Sequence, residues 1–231
     1  KVPVGHVEAG LRTGDIYSPW PEEINRRVVA NVAAWHFAPT KRAVENLIRE
    51  SVPATSIWLT GNTVVDALLW VSEKIDTDPN LRARLAAQFA FLGSSDRVIL
   101  VTGHRRESFG EGFRRICEAL KKLASDPKNQ IIYPVHLNPN VREPVRQFLA
   151  GLPNVHLVEP VGYAEFTYLM RNARLILTDS GGVQEEAPSF GRPVLVMRDR
   201  TERPEALEAG VATLVGTDPE KIVSVANQFL N

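Results

Sequence analysis

From Val98 onward the chain alternates short apolar runs with amphipathic stretches, at a spacing that admits few folds. The runs fall at 98–102, 131–135, 155–158, 175–178, 194–197 and 212–215. Helical patterns lie between them near 112–125, 140–150, 164–172, 183–190 and 204–209, and 219–230 closes the chain. Short apolar strands alternating with helices mean a parallel sheet covered on both faces. Six such units make a complete doubly wound α/β domain.

The first part of the chain carries fewer units. Residues 2–7, 35–38 and 57–59 read as strands. A helix to about Ala34 places Pro21 at its first position, and a second over Lys41–Glu50 has Thr40 as its N-cap. Three strands are about half a sheet of this kind, so residues 1–62 read as the remainder of an N-terminal Rossmann-like domain. Helical patterns over Val64–Lys74 and Pro79–Leu92, followed by a Gly93–Asp96 turn, read as a link over 63–96. Residues 97–231 then form a second, C-terminal Rossmann-like domain. A strand starting at residue 2 suggests the latter part of a longer two-domain protein.

Composition narrows the function classes. Lys+Arg and Asp+Glu are 27 each, which argues against a general binder of nucleic acid or membrane surfaces. The single cysteine, Cys117, excludes an intrachain disulfide, and no Cys/His cluster has zinc spacing. Cys117 lies in an apolar helical stripe and reads as a buried, inert thiol. No apolar run approaches the ~20 residues that span a bilayer, and the expected setting is the cytoplasm.

Ligands of doubly wound sheets sit outside the carboxyl ends of the strands. That rule gathers the loops 8–15, 103–112, 136–140, 160–166, 179–186 and 198–205. In Leu175–Glu186 a buried strand runs into Asp179-Ser180-Gly181-Gly182 and then a helix from Val183. Free N–H groups at such a turn bind anions, the two glycines admit a phosphate to the backbone, and Ser180 adds a hydroxyl. Glu185 and Glu186 fit a helix's first turn on dipole grounds, or one of them accepts ribose hydroxyls. His104, Arg105 and Arg106 follow the strand opposite. They are either a solvated charged loop or a phosphate-recognising pair of arginines with a protonatable histidine. His136 follows the next strand, where Asn138 or Asn140 can cap a helix. Arg203 either lends a guanidinium to a diphosphate or belongs to a surface salt-bridge loop. Glu8, at a strand end, and Glu22, opening a helix, are carboxylates of the kind used in general acid–base chemistry; Glu22 is equally a dipole-favoured first-turn acid.

Six stretches together resemble the non-hydrolysing UDP-N-acetylglucosamine 2-epimerases of bacteria. They are GHVEAGLRTGD (5–15), SPWPEEINR (18–26), TGNTVVDAL (60–68), TGHRRESFG (102–110), PVHLNPNVREPV (134–145) and LTDSGGVQEEAPSFGRPVLVMRDRTERPEA (177–206). The resemblance implies two Rossmann-like domains of the glycosyltransferase-B-like type, the first incomplete here, with the active site in the cleft. It implies interconversion of UDP-GlcNAc and UDP-ManNAc by elimination and re-addition of UDP, with no NAD or essential catalytic metal, and a homodimer at full length. By match, Glu8, Glu22 and His104 are catalytic. Ser180, Gly181 and Gly182 take the diphosphate, with Arg105 and Arg203 on the substrate; Glu186 takes the ribose. Phe166 falls in the uracil loop, where Val161 offers its backbone, and His136 resembles a regulatory contact. The family's first strand, its Gly-Thr-Arg-Pro-Glu loop, one catalytic aspartate and its C-terminal helix have no counterpart in 1–231, which implies a fragment. A hydrolysing epimerase, a glycosyltransferase of the same architecture, or a UDP-sugar-binding module without turnover are the rival readings.

Overall fold

A computed structural model describes residues 2–93, 95 and 97–230. Of the expected Gly93–Asp96 turn, residues 94 and 96 therefore lie outside the described residues. The chain divides into two compact units, Lys1–Asp66 with Arg200–Arg203, and Ala67–Asp199 with Pro204–Asn231.

The second unit is a six-stranded parallel sheet of β4 (Val98–Thr102), β5 (Gln130–Pro134), β6 (Val155–Val158), β7 (Leu175–Thr178), β8 (Val194–Val196) and β9 (Ala212–Leu214). All six expected strands form. Their order is β6-β5-β4-β7-β8-β9, so the chain builds outward from β4 in one direction and then from β7 in the other. Leu100 pairs in register with Ile132 on one side and Ile176 on the other.

Side-chain alternation along each strand distributes the core over both faces. Ile99, Val101, Ile131, Tyr133, Leu175 and Leu177 pack on one face with α5 (Glu111–Leu123), α6 (Pro139–Leu149) and α10 (Pro219–Leu230). Val98, Leu100, Ile132, Ile176, Val194 and Val196 pack on the other with Leu169 and Met170 of α7 (Tyr163–Asn172) and Val183 of α8 (Gly181–Glu186). Leu68 of α3 (Thr63–Thr77), and Phe89 and Leu92 just past α4 (Pro79–Gln88), join this second face. The helical pair expected as a link over 63–96 is thus divided at Asp66, and these three residues belong to the second unit's core. Cys117 is fully buried among the α5 contacts, and burial pushes its thiol up to about 12.

Helix ends depart from the periodicity where special residues intervene. The helix expected over 183–190 begins two residues earlier, at Gly181, and gives way to a 3-10 turn at Ala187–Phe190, where Pro188 removes an N–H. Likewise the 79–92 helix stops at Gln88 and resumes as a 3-10 turn at Ala90–Leu92. Helix α9 (Pro204–Glu208) is a single short turn.

The first unit is a three-stranded parallel sheet, β1 (Gly5–Val7), β2 (Trp35–Ala38) and β3 (Ile57–Leu59), in that order. The strand expected over 2–7 is thus shorter, because its ladder starts where Gly5 meets Trp35. Helices α1 (Glu22–Val32) and α2 (Lys41–Arg49) follow β1 and β2. Thr40 caps α2 by accepting the Ala43 N–H at 3.1 Å, as expected. Pro21 stands at the cap position rather than inside α1, which leaves Glu22 and Glu23 to meet the helix dipole. The core is built from small residues, Ala9, Ala30, Ala38 and Ala43, around Leu47.

Close packing of the β1–α1 loop on α2 depends on Gly10. Its φ is +89°, and a Cβ there would stand 2.2 Å from the Ala43 carbonyl oxygen. Gly14 has a similar φ of +83° but open space around it. Gly14→Ala should therefore cost only the left-handed strain, about 1 kcal/mol, whereas Gly10→Ala adds the backbone clash and should cost about 3 kcal/mol. Urea unfolding followed by tryptophan fluorescence checks this, since Trp20, Trp35 and Trp58 all lie in the first unit. Equal losses would mean that the α2 contact does not constrain Gly10.

Candidate functional site

In the second unit the sheet changes direction between β4 and β7, and a doubly wound sheet offers its ligand crevice at that switch point. Two loops leave the carboxyl ends of these strands side by side. Asp179 follows β7 and is fully buried; its Oδ2 accepts the main-chain N–H of His104 at 2.7 Å and of Arg105 at 2.8 Å. The hydroxyls of Thr102 and Thr178 lie 2.9 Å apart, and Thr178 Oγ1 accepts the Ser180 N–H at 3.0 Å. The loop after β4 is packed tightly, since a Cβ on Gly103 would meet the Tyr133 hydroxyl at 3.1 Å and Phe113 at 3.3 Å.

Gly182 is different. A Cβ there would find only Ser180 Oγ, at 4.0 Å, so nothing in the protein's own packing demands glycine. Ser180 occupies the cap position of α8, and its carbonyl accepts the Gln184 Nε2–H at 3.1 Å.

His104 is half-exposed at the front of this loop pair. Its Nδ1 lies 3.7 Å from Asp179 Oδ1, and its ring stacks on His136 with centroids 5.4 Å apart and planes 20° from parallel. Burial lowers the His104 pKa; Asp179 opposes that, while Arg105 and His136 add to it. His136 Nδ1 accepts the Asn138 N–H, and Asn138 caps α6 through Asn140 N–H. Of the two candidate caps, Asn138 is therefore the one used. His136 itself stands beside His104, on the side of the β5 loop.

Glu186, at the end of α8, is buried and accepts the Tyr163 hydroxyl at 2.7 Å. Burial and then this bond push the Tyr163 pKa up. Tyr163 opens α7, three residues before Phe166, and sequence reading overlooked it because a lone exposed tyrosine has no periodic signature. Phe166 and Val161 are partly buried and pack against the α7 face of the core. Arg198, two residues past β8, is almost fully buried, and its Nε donates to Glu107 Oε1 at 2.7 Å.

The first unit has its own cluster. Glu8, directly after β1, has a φ of +62°, uncommon for a residue with a side chain. Its Oε1 accepts from Arg203 Nη2 at 2.8 Å and from Asn62 Nδ2 at 3.0 Å. Arg203 Nη1 donates to Glu202 Oε1 at 2.7 Å, and Arg200 reaches Asp15 at 3.1 Å. The structure thus places Arg203, assigned by resemblance to the substrate's phosphates, on the carboxylates of Glu8 and Glu202. Of the two acids opening α1, Glu22 is exposed and Glu23 is fully buried. Glu23 accepts the N–H groups of Thr13 (3.1 Å) and Gly14 (3.3 Å) and pairs with Arg26 and Arg27. It is the strut of the 11–15 loop, and Glu22 is the acid presented outward. Among the described residues no group of three or more His, Cys, Asp or Glu side chains converges on a metal site, and no helix is long and apolar enough to cross a membrane.

Burial is also the first cause of lowered pKa at His6, His36 and His156. In the unfolded chain these residues and His104 take up protons as pH falls through about 6.5, whereas the folded chain holds them neutral to lower pH. The unfolded state then binds more protons, so stability is complete above pH ~6.5 and declines below it. Denaturant midpoints at about pH 7.5 and about pH 5.5 should show this loss, and His104→Gln should reduce it for the second unit. A midpoint indifferent to both changes would contradict a neutral His104.

The family model described as UDP-N-acetylglucosamine 2-epimerase matches residues 1–231. A UDP-N-acetylglucosamine 2-epimerase of Yersinia pestis is 59% identical over 231 residues, covering 100% of this chain and 61% of that protein. The crystal structure of a UDP-GlcNAc 2-epimerase from Neisseria meningitidis bound to UDP-GlcNAc superposes with a TM-score of 0.96 at 49% identity, covering 98% of this chain and 61% of that one. The Methanocaldococcus jannaschii enzyme in complex with UDP-GlcNAc and UDP gives 0.85 at 38% identity, covering 100% and 63%. The fold class is accordingly α/β, with Rossmann-like parallel sheets of the glycosyltransferase-B-like type. The chain spans about 61% of the length of the curated relatives it matches.

Proposed function

This chain belongs to the UDP-N-acetylglucosamine 2-epimerase family, and we propose that it is the part of such an enzyme that holds the uridine nucleotide and supplies two carboxylates for epimerisation at C2. The observation that carries the nucleotide reading is the paired loop at the β4/β7 switch point, with a Gly182 that the protein's own packing does not require. Solved relatives carrying UDP-GlcNAc or UDP support it.

The C2 proton of the sugar is not acidic, so direct abstraction and return would be very slow. Elimination across C1–C2 avoids that carbanion: a base takes the C2 proton as the C1–O bond to UDP breaks, leaving 2-acetamidoglucal. Re-addition of UDP with protonation at C2 from the opposite face gives UDP-ManNAc. The reaction needs carboxylates near C2 and strong stabilisation of the departing diphosphate. Ser180, Gly181 and Gly182 supply main-chain and hydroxyl donors to the diphosphate, with His104 and Arg105 beside them. Glu186 and Tyr163 meet the ribose, and Val161 and Phe166 border the uracil. Glu8 and Glu22 are the proton-transfer carboxylates, Glu8 oriented by Arg203 and Asn62. His136, stacked on His104, takes the regulatory role expected from the family. A homodimer and a cytoplasmic setting belong to the same proposal.

UDP should bind this chain, and Glu186→Ala should weaken it ~10–100-fold, the worth of hydrogen bonds to a charged group. Calorimetry decides, and equal affinity in the variant would remove the ribose role. With the chain extended to the length of its relatives, UDP-GlcNAc in heavy water should gain deuterium at C2. Glu22→Gln should abolish that exchange while UDP affinity changes little. Free ManNAc as the product would point to the hydrolysing reaction instead.

A further inference from the structure

Binding a nucleotide at the switch point does not by itself explain one buried atom there. Asp179 is fully buried and its two oxygens are unequally used. Oδ2 takes the His104 and Arg105 main-chain N–H groups, while Oδ1 is buried without a hydrogen-bond partner. A buried acceptor left unmade is unfavourable, the more so on a carboxylate. The His104 ring faces it, with Nδ1 3.7 Å from Oδ1, which is ~0.8 Å beyond a good hydrogen bond. The main chain of His104 is already fixed to the same carboxylate, so a small torsional turn of the half-exposed ring completes the contact.

We propose that Asp179 is the positioning residue of His104: its Oδ1 takes the Nδ1–H, which fixes the tautomer and leaves Nε2 as the nitrogen offered to a bound anion. Naming that anion as a diphosphate rests on the nucleotide reading above; the Asp179–His104 relation itself does not. The two oxygens divide the work, with Oδ2 holding the loop and Oδ1 orienting the ring. An imidazole whose far nitrogen is engaged by a carboxylate is locked in one tautomer and made more basic at the other nitrogen. His136 stacks on the same ring and limits its freedom to swing away.

The charged and titratable groups facing His104 pull in opposite directions, and burial tips them toward the neutral ring. Asp179, from the β7 loop, favours the imidazolium; Arg105, on its own loop, and His136, from the β5 loop, oppose it, and burial opposes it most. An anion arriving beside Nε2 adds to the Asp179 side. Proton uptake by His104 should then accompany binding, and the imidazolium should be held between two anions.

The test is nitrogen NMR on the chain with labelled histidine. In the wild type without nucleotide, near pH ~7.5, His104 should carry its proton on Nδ1; a dominant Nε2–H tautomer overturns the proposal. Asp179→Asn keeps an acceptor for the two main-chain N–H groups but turns an amide NH2 toward Nδ1. His104 should then shift to the Nε2–H tautomer and titrate at lower pH, and an unchanged tautomer and midpoint also overturn the proposal. Should that variant fail to fold, the wild-type tautomer still decides. Adding UDP should raise the wild-type midpoint by about one pH unit, a tenfold easier protonation, and the rise should be lost in Asp179→Asn; an equal rise in both contradicts the positioning role. If UDP leaves the Ser180, Gly181 and Gly182 amides unmoved, the nucleotide reading fails instead, and the tautomer of the free chain still judges Asp179.

Discussion

Two loops at the middle of the second sheet are joined by one carboxylate. Strand pairing fixes β4 against β7 only as far as Thr102 and Thr178. Beyond that the chain leaves toward β5 on one side and β8 on the other, so the ladder does not position either loop. Asp179 supplies the missing constraint across 75 residues of sequence by accepting two main-chain N–H groups of the opposite loop. Charge-assisted bonds to main-chain donors in a dry interior are among the stronger contacts available to a fold. His104, Ser180 and the glycines all take their places relative to that carboxylate. The Thr102–Thr178 hydroxyl pair and the Tyr133 bond to the Gly103 carbonyl at 3.1 Å brace the same seam from below.

Much of the fold could be read from the sequence because its strands are short, apolar and evenly spaced by helices. Val98–Val101 shows why: with both faces covered, these four residues of β4 are all buried and the run stands out. Boundaries were less legible where backbone chemistry overrides periodicity. Gly181 and Gly182 are poor helix formers, so the pattern reading began α8 at Val183, yet the preceding Ser180 already occupies the cap and the helix starts with the glycines. Val2–Val4 looks like the beginning of a strand, but its sheet partner begins only at Trp35. The division of the helical pair was illegible for another reason: Leu68, Phe89 and Leu92 are apolar in any reading, and only the packed sheet says which core receives them.

The site was legible as a set of loops and much less so as a set of contacts. Placing ligands at the carboxyl ends of the strands picked out His104, Ser180 and Glu186 as neighbours of the switch point. It could not separate Glu22 from Glu23, since adjacent acids in a helix's first turn look alike. The signal that distinguishes it is Arg27, four residues after Glu23 and out of helical pairing distance from Glu22, whereas Arg26 stands at pairing distance from both acids. Arg203 with Glu8 and Tyr163 with Glu186 are contacts over 195 and 23 residues, and no local pattern encodes them.

The pairing of charges also bears on how this chain can recognise an anion at all. Its net charge is zero, and several arginines near the strand ends already serve carboxylates: Arg198 holds Glu107, Arg203 holds Glu8 and Glu202, Arg200 holds Asp15 and Arg12 holds Glu50. A long-range positive field therefore contributes little to drawing in a diphosphate. On the nucleotide reading proposed above, recognition falls to short-range donors fixed in place, the main-chain N–H groups and Ser180, and to the proton proposed for His104. A permanently cationic histidine between Arg105 and His136 would be costly in their repulsion and in its own desolvation. A neutral one that gains its proton beside an anion avoids that cost and keeps the interaction for the occupied site. Asp179 makes this workable, since a buried carboxylate within reach of Nδ1 lowers the penalty of the imidazolium without itself facing the ligand.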